Sequence, residues 1–124
     1  MASRIVVFGA TGYTGRLVAE RLVAQGARPV LAGRSESRLA ELAERLGGLE
    51  TARADAMRRN SVFSLVRPGD VLVSTVGPFA KWGEAAVRAS IAAGATYLDS
   101  TGEPVFIRRV FEELGAPAAR NGAT

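Results

Sequence analysis

Short, almost continuously apolar runs alternate with helix-patterned stretches five times along this chain, and that alternation constrains the fold more than any other feature. The first run, residues 4–8, holds Ile5, Val6, Val7 and Phe8 and stops at Gly9, which suits a strand covered on both faces. Over residues 12–26, Leu17, Val18, Leu22 and Val23 recur at helical spacing, with Gly26 as the C-cap. Residues 29–32 read as a second strand entering Gly33. Ser35 suits the N-cap of a helix whose Leu39, Leu42, Ala43 and Leu46 share one face and which stops at Gly47-Gly48. Residues 49–54 are expected as a third strand, although they carry little β-branched content, and a short helix over 59–66 ends at the Pro68-Gly69 turn. Residues 70–75 predict a fourth strand, 80–93 a helix closed by Gly94, and 96–100 a fifth strand. Pro104 opens a last helix carrying Phe106, Ile107, Val110, Phe111 and Leu114.

Short buried strands joined by helices of this length connect through right-handed crossovers, which gives a parallel sheet with helices on both faces. The expected fold is α/β, a Rossmann-type doubly wound sheet of five strands in the order 3-2-1-4-5. With 124 residues the chain is read as one domain, 1–124, with no room for a separate substrate lobe of ordinary size. Asn121-Gly122 resembles a helix C-cap, and Ala123-Thr124 would be the first residues of a sixth strand. The expectation is therefore a sheet truncated before strand six, in an N-terminal fragment of a longer protein. The fifth strand would then carry unpaired backbone groups at the sheet edge. That edge is expected either to pair with another copy as a homodimer or to be capped by the chain terminus.

Composition removes several classes of chemistry. There is no cysteine, so a disulfide scaffold, a thiol nucleophile and Cys-based metal sites are excluded. There is no histidine, so a Ser-His-Asp triad, imidazole metal sites and the usual base near neutral pH are excluded too. No metal is expected. The formal charge is +4, but the arginines are scattered from Arg4 to Arg120 and are not interleaved with the few aromatics, so no nucleic-acid partner is expected. The apolar runs fall far short of the ~20 residues of a membrane span, and the first seven residues lack a signal-peptide layout. A soluble, cytoplasmic domain with no membrane partner is the expectation.

The loops that follow the strands carry the chemistry. Gly9-Ala10-Thr11-Gly12-Tyr13-Thr14-Gly15 lies between the first strand and the first helix, where a phosphate-binding turn belongs. Gly9 would turn the chain off the strand, Gly12 would leave the backbone open to a pyrophosphate, and Gly15 would let the helix sit close to the sheet. The free N–H groups at the helix start, around Thr11, Tyr13 and Thr14, would then hold the anion. The spacing is G-x-x-G-x-x-G, and the alternative is a plain tight turn. No Gly-Lys-Ser/Thr follows, so it is not a P-loop.

At the end of strand two, where NAD-selective domains usually place an acid, stands Arg34, with Ser35 and Arg38 close by. A guanidinium with a hydroxyl partner suits a 2′-phosphate, so NADP(H) is expected over NAD(H); the alternative is a surface arginine beside a capping serine. Asp55, after strand three, is placed either to accept from an adenine amino group or only to hold a turn. Thr75-Val76-Gly77-Pro78-Phe79 follows strand four at the topological switch point, where the backbone of Val76, Gly77 and Pro78 would face the nicotinamide ribose. A simple Gly-Pro exit turn is the alternative. Asp99 and Glu103, beyond strand five, suit either substrate binding and proton transfer or local backbone bonding, with Glu103 capping the helix begun by Pro104.

Gly-Ala-Thr-Gly-Tyr-Thr-Gly at 9–15, Ala-Gly-Arg at 32–34, Val-Gly-Pro-Phe at 76–79 followed by Gly83, and Tyr-Leu-Asp-Ser-Thr-Gly-Glu at 97–103 together resemble the saccharopine dehydrogenase-like oxidoreductases, including the trans-acting enoyl reductases. The resemblance covers essentially the whole chain. It implies an NADP(H)-binding domain that in relatives precedes a separate substrate domain, so a small-molecule substrate would be met through a second domain missing here. This piece alone is then not expected to be catalytically active. A non-catalytic NADP(H)-sensing or interaction module is the alternative. A catalytic short-chain dehydrogenase is discounted, because Gly77 stands where that class needs a tyrosine four residues before its lysine, here Lys81.

Overall fold

In the computed structural model, which describes residues 3–124, five parallel strands take the order 3-2-1-4-5, as the alternation predicts. The central strand β1 (Ile5–Phe8) pairs on one side with β2 (Val30–Gly33) and on the other with β4 (Val71–Ser74). The edges are β3 (Thr51–Arg53) beside β2 and β5 (Thr96–Asp99) beside β4. Successive strand side chains point to opposite faces, so the consecutive apolar residues of β1 serve two cores at once. Val6 and Phe8 face one core with Leu72, Val62 and Ala86, while Val7 faces the other with Leu31, Leu39 and Ala19.

Helices α1 (Tyr13–Ala24) and α2 (Glu36–Arg45) cover the second face. Helices α3 (Arg59–Phe63) and α5 (Glu84–Ala93) cover the first. A third cluster joins the short helix α4 (Phe79–Trp82) to the last helical stretch, through Phe79, Val87, Phe106 and Leu114. That stretch runs as α6 (Pro104–Arg109), a π-helical turn (Val110–Leu114) and α7 (Gly115–Arg120). Pro117 lies just past the widened turn and has no N–H to return to the carbonyl of Glu113, a local loss that fits a change of winding there.

Three details differ from the sequence reading. β3 is only three residues long, because on the edge of the sheet Thr51 and Arg53 are exposed while Leu49 packs into the core before the strand begins. The helix expected over 59–66 ends at Phe63, and the carbonyl of Leu65 accepts instead from the Arg4 guanidinium at 2.8 Å. The helix expected over 80–93 is two helices that meet at Gly83. The β5 edge is covered in part by the chain's own end, one of the two outcomes expected for it. The Tyr97 N–H donates to the Thr124 carbonyl at 2.7 Å, and the Thr124 N–H donates to the Ala95 carbonyl at 3.1 Å. These two bonds form a parallel-strand rung at the position expected of a sixth strand.

Below the sheet, at the N-terminal ends of β1 and β4, the Asp70 carboxylate is 3% exposed. It accepts from the Arg4 backbone N–H, from the Arg4 guanidinium at 2.8 Å and from the Arg67 N–H at 2.9 Å. Burial pushes its carboxyl up, but the hydrogen bonds from Arg4 and Arg67 and the Arg4 charge outweigh that and hold it below the usual 3.8. The opposite ends of the strands, at Phe8, Gly33 and Ser74, are thereby left to form the crevice.

Candidate functional site

The turn after β1 is built by close backbone contacts. Gly9 has φ +87°, and a Cβ there would lie 2.7 Å from the Thr75 hydroxyl oxygen, so only glycine fits. Its N–H donates to the Ala32 carbonyl at 2.9 Å, tying the turn to β2. From the other side, the Thr75 hydroxyl reaches the Phe8 and Gly9 carbonyls at 3.1 and 3.2 Å. Gly15 faces the same turn at close range: a Cβ on it would lie 2.6 Å from the Gly9 carbonyl carbon and 2.9 Å from the Ala10 Cα. Gly12 differs. Its backbone is extended, and a Cβ would meet only the Gly9 carbonyl oxygen at 3.4 Å.

Helix α1 therefore begins against the strand with Gly12 as its N-cap, no side-chain cap and no acid in its first turn. The N–H groups of the first turn have no intrahelical acceptor by construction, and the dipole places positive potential there. Among the described residues no side chain accepts from those N–H groups.

The turn opens into a crevice of about 620 Å³ at the strand ends. Of the residues singled out in the sequence, Gly9, Thr11, Gly12, Arg34, Ser35, Arg38, Asp55, Val76 and Gly77 line it. Tyr13, Thr14 and Pro78 do not; the Tyr13 ring is 75% exposed, and these residues adjoin the crevice only through the chain itself. Sequence reasoning did not single out Met57 or Trp82, which also line the crevice. A lone exposed methionine and a tryptophan in a helix carry no sequence signal of their own.

At the β2 end the polar groups divide their work. The Ser35 hydroxyl caps α2, accepting from the Arg38 N–H at 3.3 Å, as expected of an N-cap. Among the described residues neither Arg34 nor Arg38 has a carboxylate within ion-pair distance. Arg53, across the β2–β3 ladder from Gly33, donates through Nε to the Arg34 carbonyl at 3.2 Å and adds a third guanidinium nearby. Asp55 does hold a turn: its Oδ1 accepts from the Met57 N–H at 2.9 Å.

At the β4 end the peptide bond between Gly77 and Pro78 is cis. A Cβ on Gly77 would make only ordinary contact, 3.5 Å from the Phe79 ring, so packing does not demand glycine there. The carboxylates after β5 are both engaged with protein. Asp99 accepts from the Thr101 N–H at 3.0 Å and from the Tyr97 hydroxyl at 2.7 Å, which is the local bonding expected as its alternative role. Burial, then the hydrogen bond and charge of Asp99, push the Tyr97 phenol well above the ordinary tyrosine range, so it stays a donor. The expectation that Glu103 caps the helix begun by Pro104 does not hold for its side chain, which caps α4 instead, accepting from the Phe79 N–H at 2.6 Å and the Ala80 N–H at 3.0 Å.

A parallel doubly wound sheet, an uncapped helix start behind a glycine turn and free arginines at the end of β2 define a dinucleotide-binding domain of the kind found in oxidoreductases. The sequence model of the saccharopine dehydrogenase NADP binding domain matches residues 5–124, and the chain belongs to that family. A Mycobacterium tuberculosis protein named as a candidate trans-acting enoyl reductase is 41% identical over 127 residues, spanning 96% of this chain. The chain corresponds to about 30% of that relative's length. Among solved structures, Saccharomyces cerevisiae saccharopine dehydrogenase shares the fold, with a TM-score of 0.71 and 16% identity over 87% of this chain and 24% of that one. A Citrobacter triphenylmethane reductase complexed with NADP(H) matches with a TM-score of 0.63 and 25% identity, over 76% of this chain and 36% of that one. Among the described residues no helix is long and apolar enough to cross a membrane.

Proposed function

We propose that the crevice holds NADP(H) with its pyrophosphate on the first turn of α1, its adenosine 2′-phosphate between Arg34 and Arg38, and its nicotinamide half along Val76 and Gly77. The observation that carries this reading is the pairing of two vacant binding features in one crevice: an α1 start with no capping side chain and two arginines with no carboxylate partner. A dinucleotide supplies anions for both. Family membership and the NADP(H) complex of the Citrobacter reductase support the same cofactor.

In this reading residues 1–124 are the cofactor domain of an NADP-dependent oxidoreductase. The bound nicotinamide supplies or accepts hydride. This chain's groups bind and orient: amides and dipole hold the diphosphate, guanidiniums select the 2′-phosphate, and Gly77 leaves room for the ring. The substrate is a small molecule presented by a further part of the protein, in keeping with relatives about three times as long. A homodimer along β5 would have to pair beyond the rung occupied by Thr124, and light scattering reads it directly as a doubled mass.

The test is a pair of titrations on the Arg34→Ala variant. NADPH affinity is expected to fall at least tenfold while NADH affinity changes by less than about twofold, since a bidentate, charge-assisted contact is lost only for the phosphorylated cofactor. Equal losses for the two cofactors would refute the assignment of Arg34.

A further inference from the structure

The two motifs that bracket α4 and α6 are far apart in sequence, yet the structure fastens them together at the crevice wall. Helix α4 starts immediately after Val76-Gly77-Pro78, and its N-cap residue is Pro78, whose side chain has no acceptor to offer. The first N–H groups of the helix, those of Phe79 and Ala80, are taken by both oxygens of Glu103, 24 and 23 residues further on. Glu103 is held in turn: its own N–H donates to the Thr101 hydroxyl at 3.1 Å. Two apolar ties back this one. The Phe79 and Phe106 rings pack with centroids 5.6 Å apart, and Gly83 closes on Phe106 so tightly that a Cβ there would lie 2.7 Å from the ring.

We infer that Glu103 is a positioning residue for the nicotinamide half of the crevice, setting the place of the Val76-Gly77 wall by holding the first turn of α4. This rests on the NADP(H) reading above. The carboxylate is ionic, bidentate and half-buried, so it fixes two donors at once where a neutral cap would fix one. Its lever is short. Gly77 lies two residues before the first amide it holds, and Trp82, at the other end of the same four-residue helix, also lines the crevice. The adenosine half, at Arg34, Arg38 and Asp55, is built by α2 and β3 and shares no hydrogen bond with Glu103. Loosening Glu103 therefore acts on one half of the cofactor and not on the other.

The experiment compares two ligands on three forms of the 124-residue chain: wild type, Glu103→Gln and Glu103→Ala. NADPH spans both halves of the site; 2′,5′-ADP fills only the adenosine half. The expected result for Glu103→Ala is a loss of about tenfold in NADPH affinity with 2′,5′-ADP held within about twofold. Glu103→Gln, isosteric and with one carbonyl oxygen left to accept, should fall between, and it carries the test if the alanine variant does not fold. Trp82, the one tryptophan in the sequence, gives a second readout: bound NADPH should quench its fluorescence in the wild type, and at saturation the quenching should be smaller in both variants. Parallel losses for NADPH and 2′,5′-ADP would mean a general effect on the fold and overturn the inference, as would unchanged NADPH binding. If the wild type binds neither ligand, the NADP(H) reading itself falls. If it binds 2′,5′-ADP and the variants show no split, that reading stands and only the role of Glu103 is refuted.

Discussion

Gly12 and Gly15 occupy one loop, and the structure predicts opposite consequences for adding a methyl group at each. At Gly15 the new carbon would sit 2.6 Å from the Gly9 carbonyl carbon and 2.9 Å from the Ala10 Cα, both backbone atoms of a turn pinned to Ala32 and Thr75. Carbon atoms pack at about 3.5–4.0 Å, so the turn and helix must separate by roughly 1 Å. Overpacking of this kind typically costs 1–3 kcal/mol, and with no rotatable side chain to yield, the upper part of that range applies. Alanine recovers roughly 0.5–1 kcal/mol over glycine inside a helix, which leaves a net loss of about 2 kcal/mol. For a chain of this size that lowers the melting temperature by about 6–12 °C. At Gly12 the extended backbone accepts any residue, and the nearest atom is 3.4 Å away, so Gly12→Ala should cost less than about 1 kcal/mol as a poorer N-cap. Its methyl would instead stand where the pyrophosphate approaches, and NADPH affinity should fall at least tenfold. Thermal denaturation and calorimetric titration of both variants read the two effects separately. A Gly15→Ala protein that melts like the wild type would refute the steric argument, and a Gly12→Ala protein that binds NADPH normally would refute the placement of the diphosphate.

Other outcomes follow from the same geometry. Gly77→Ala should fold with little change in melting temperature, since its Cβ finds only ordinary contact, and should lose NADPH affinity with 2′,5′-ADP unaffected; equal affinities for NADPH in variant and wild type would count against the wall assignment. Asp70→Asn should destabilise the chain by roughly 2 kcal/mol near pH 7, by leaving Arg4 without its buried partner. The sign of its pH dependence is fixed: because the folded pKa lies below the usual 3.8, the carboxylate's stabilisation is present above about pH 4 and is lost as pH falls through the folded value. Acid denaturation should therefore be less steep in the variant, and identical acid limbs would contradict this. Tyr97→Phe should leave NADPH affinity unchanged, because the phenol serves Asp99 and not the crevice; a loss above about fivefold would show otherwise.

The strand order was legible because burial on both faces leaves its mark residue by residue: Val6 to Phe8 in β1 and Val30 to Ala32 in β2 are buried without a break. Edge strands leave less. Thr51-Ala52-Arg53 is half solvated, which is why its limits blurred in the sequence. The glycine turn was readable because close backbone approach demands glycine, and the two arginines after β2 that the sequence singled out do line the crevice. Capping across the fold is not readable in that way. Glu103 sits one residue before Pro104, where an acid fits its own helix on local grounds, and only the packing of α4 against α6 reveals that its side chain serves another. Gly83 likewise reads as a residue inside one long helix, until the ring of Phe106 shows why nothing larger fits.

Isothermal titration of the wild-type chain with NADPH and with NADH tests the central claim most directly. The account predicts one site per chain and an affinity for NADPH at least tenfold tighter than for NADH, the margin arising from the 2′-phosphate between Arg34 and Arg38. No heat of binding with either cofactor, or equal affinity for both, would contradict it.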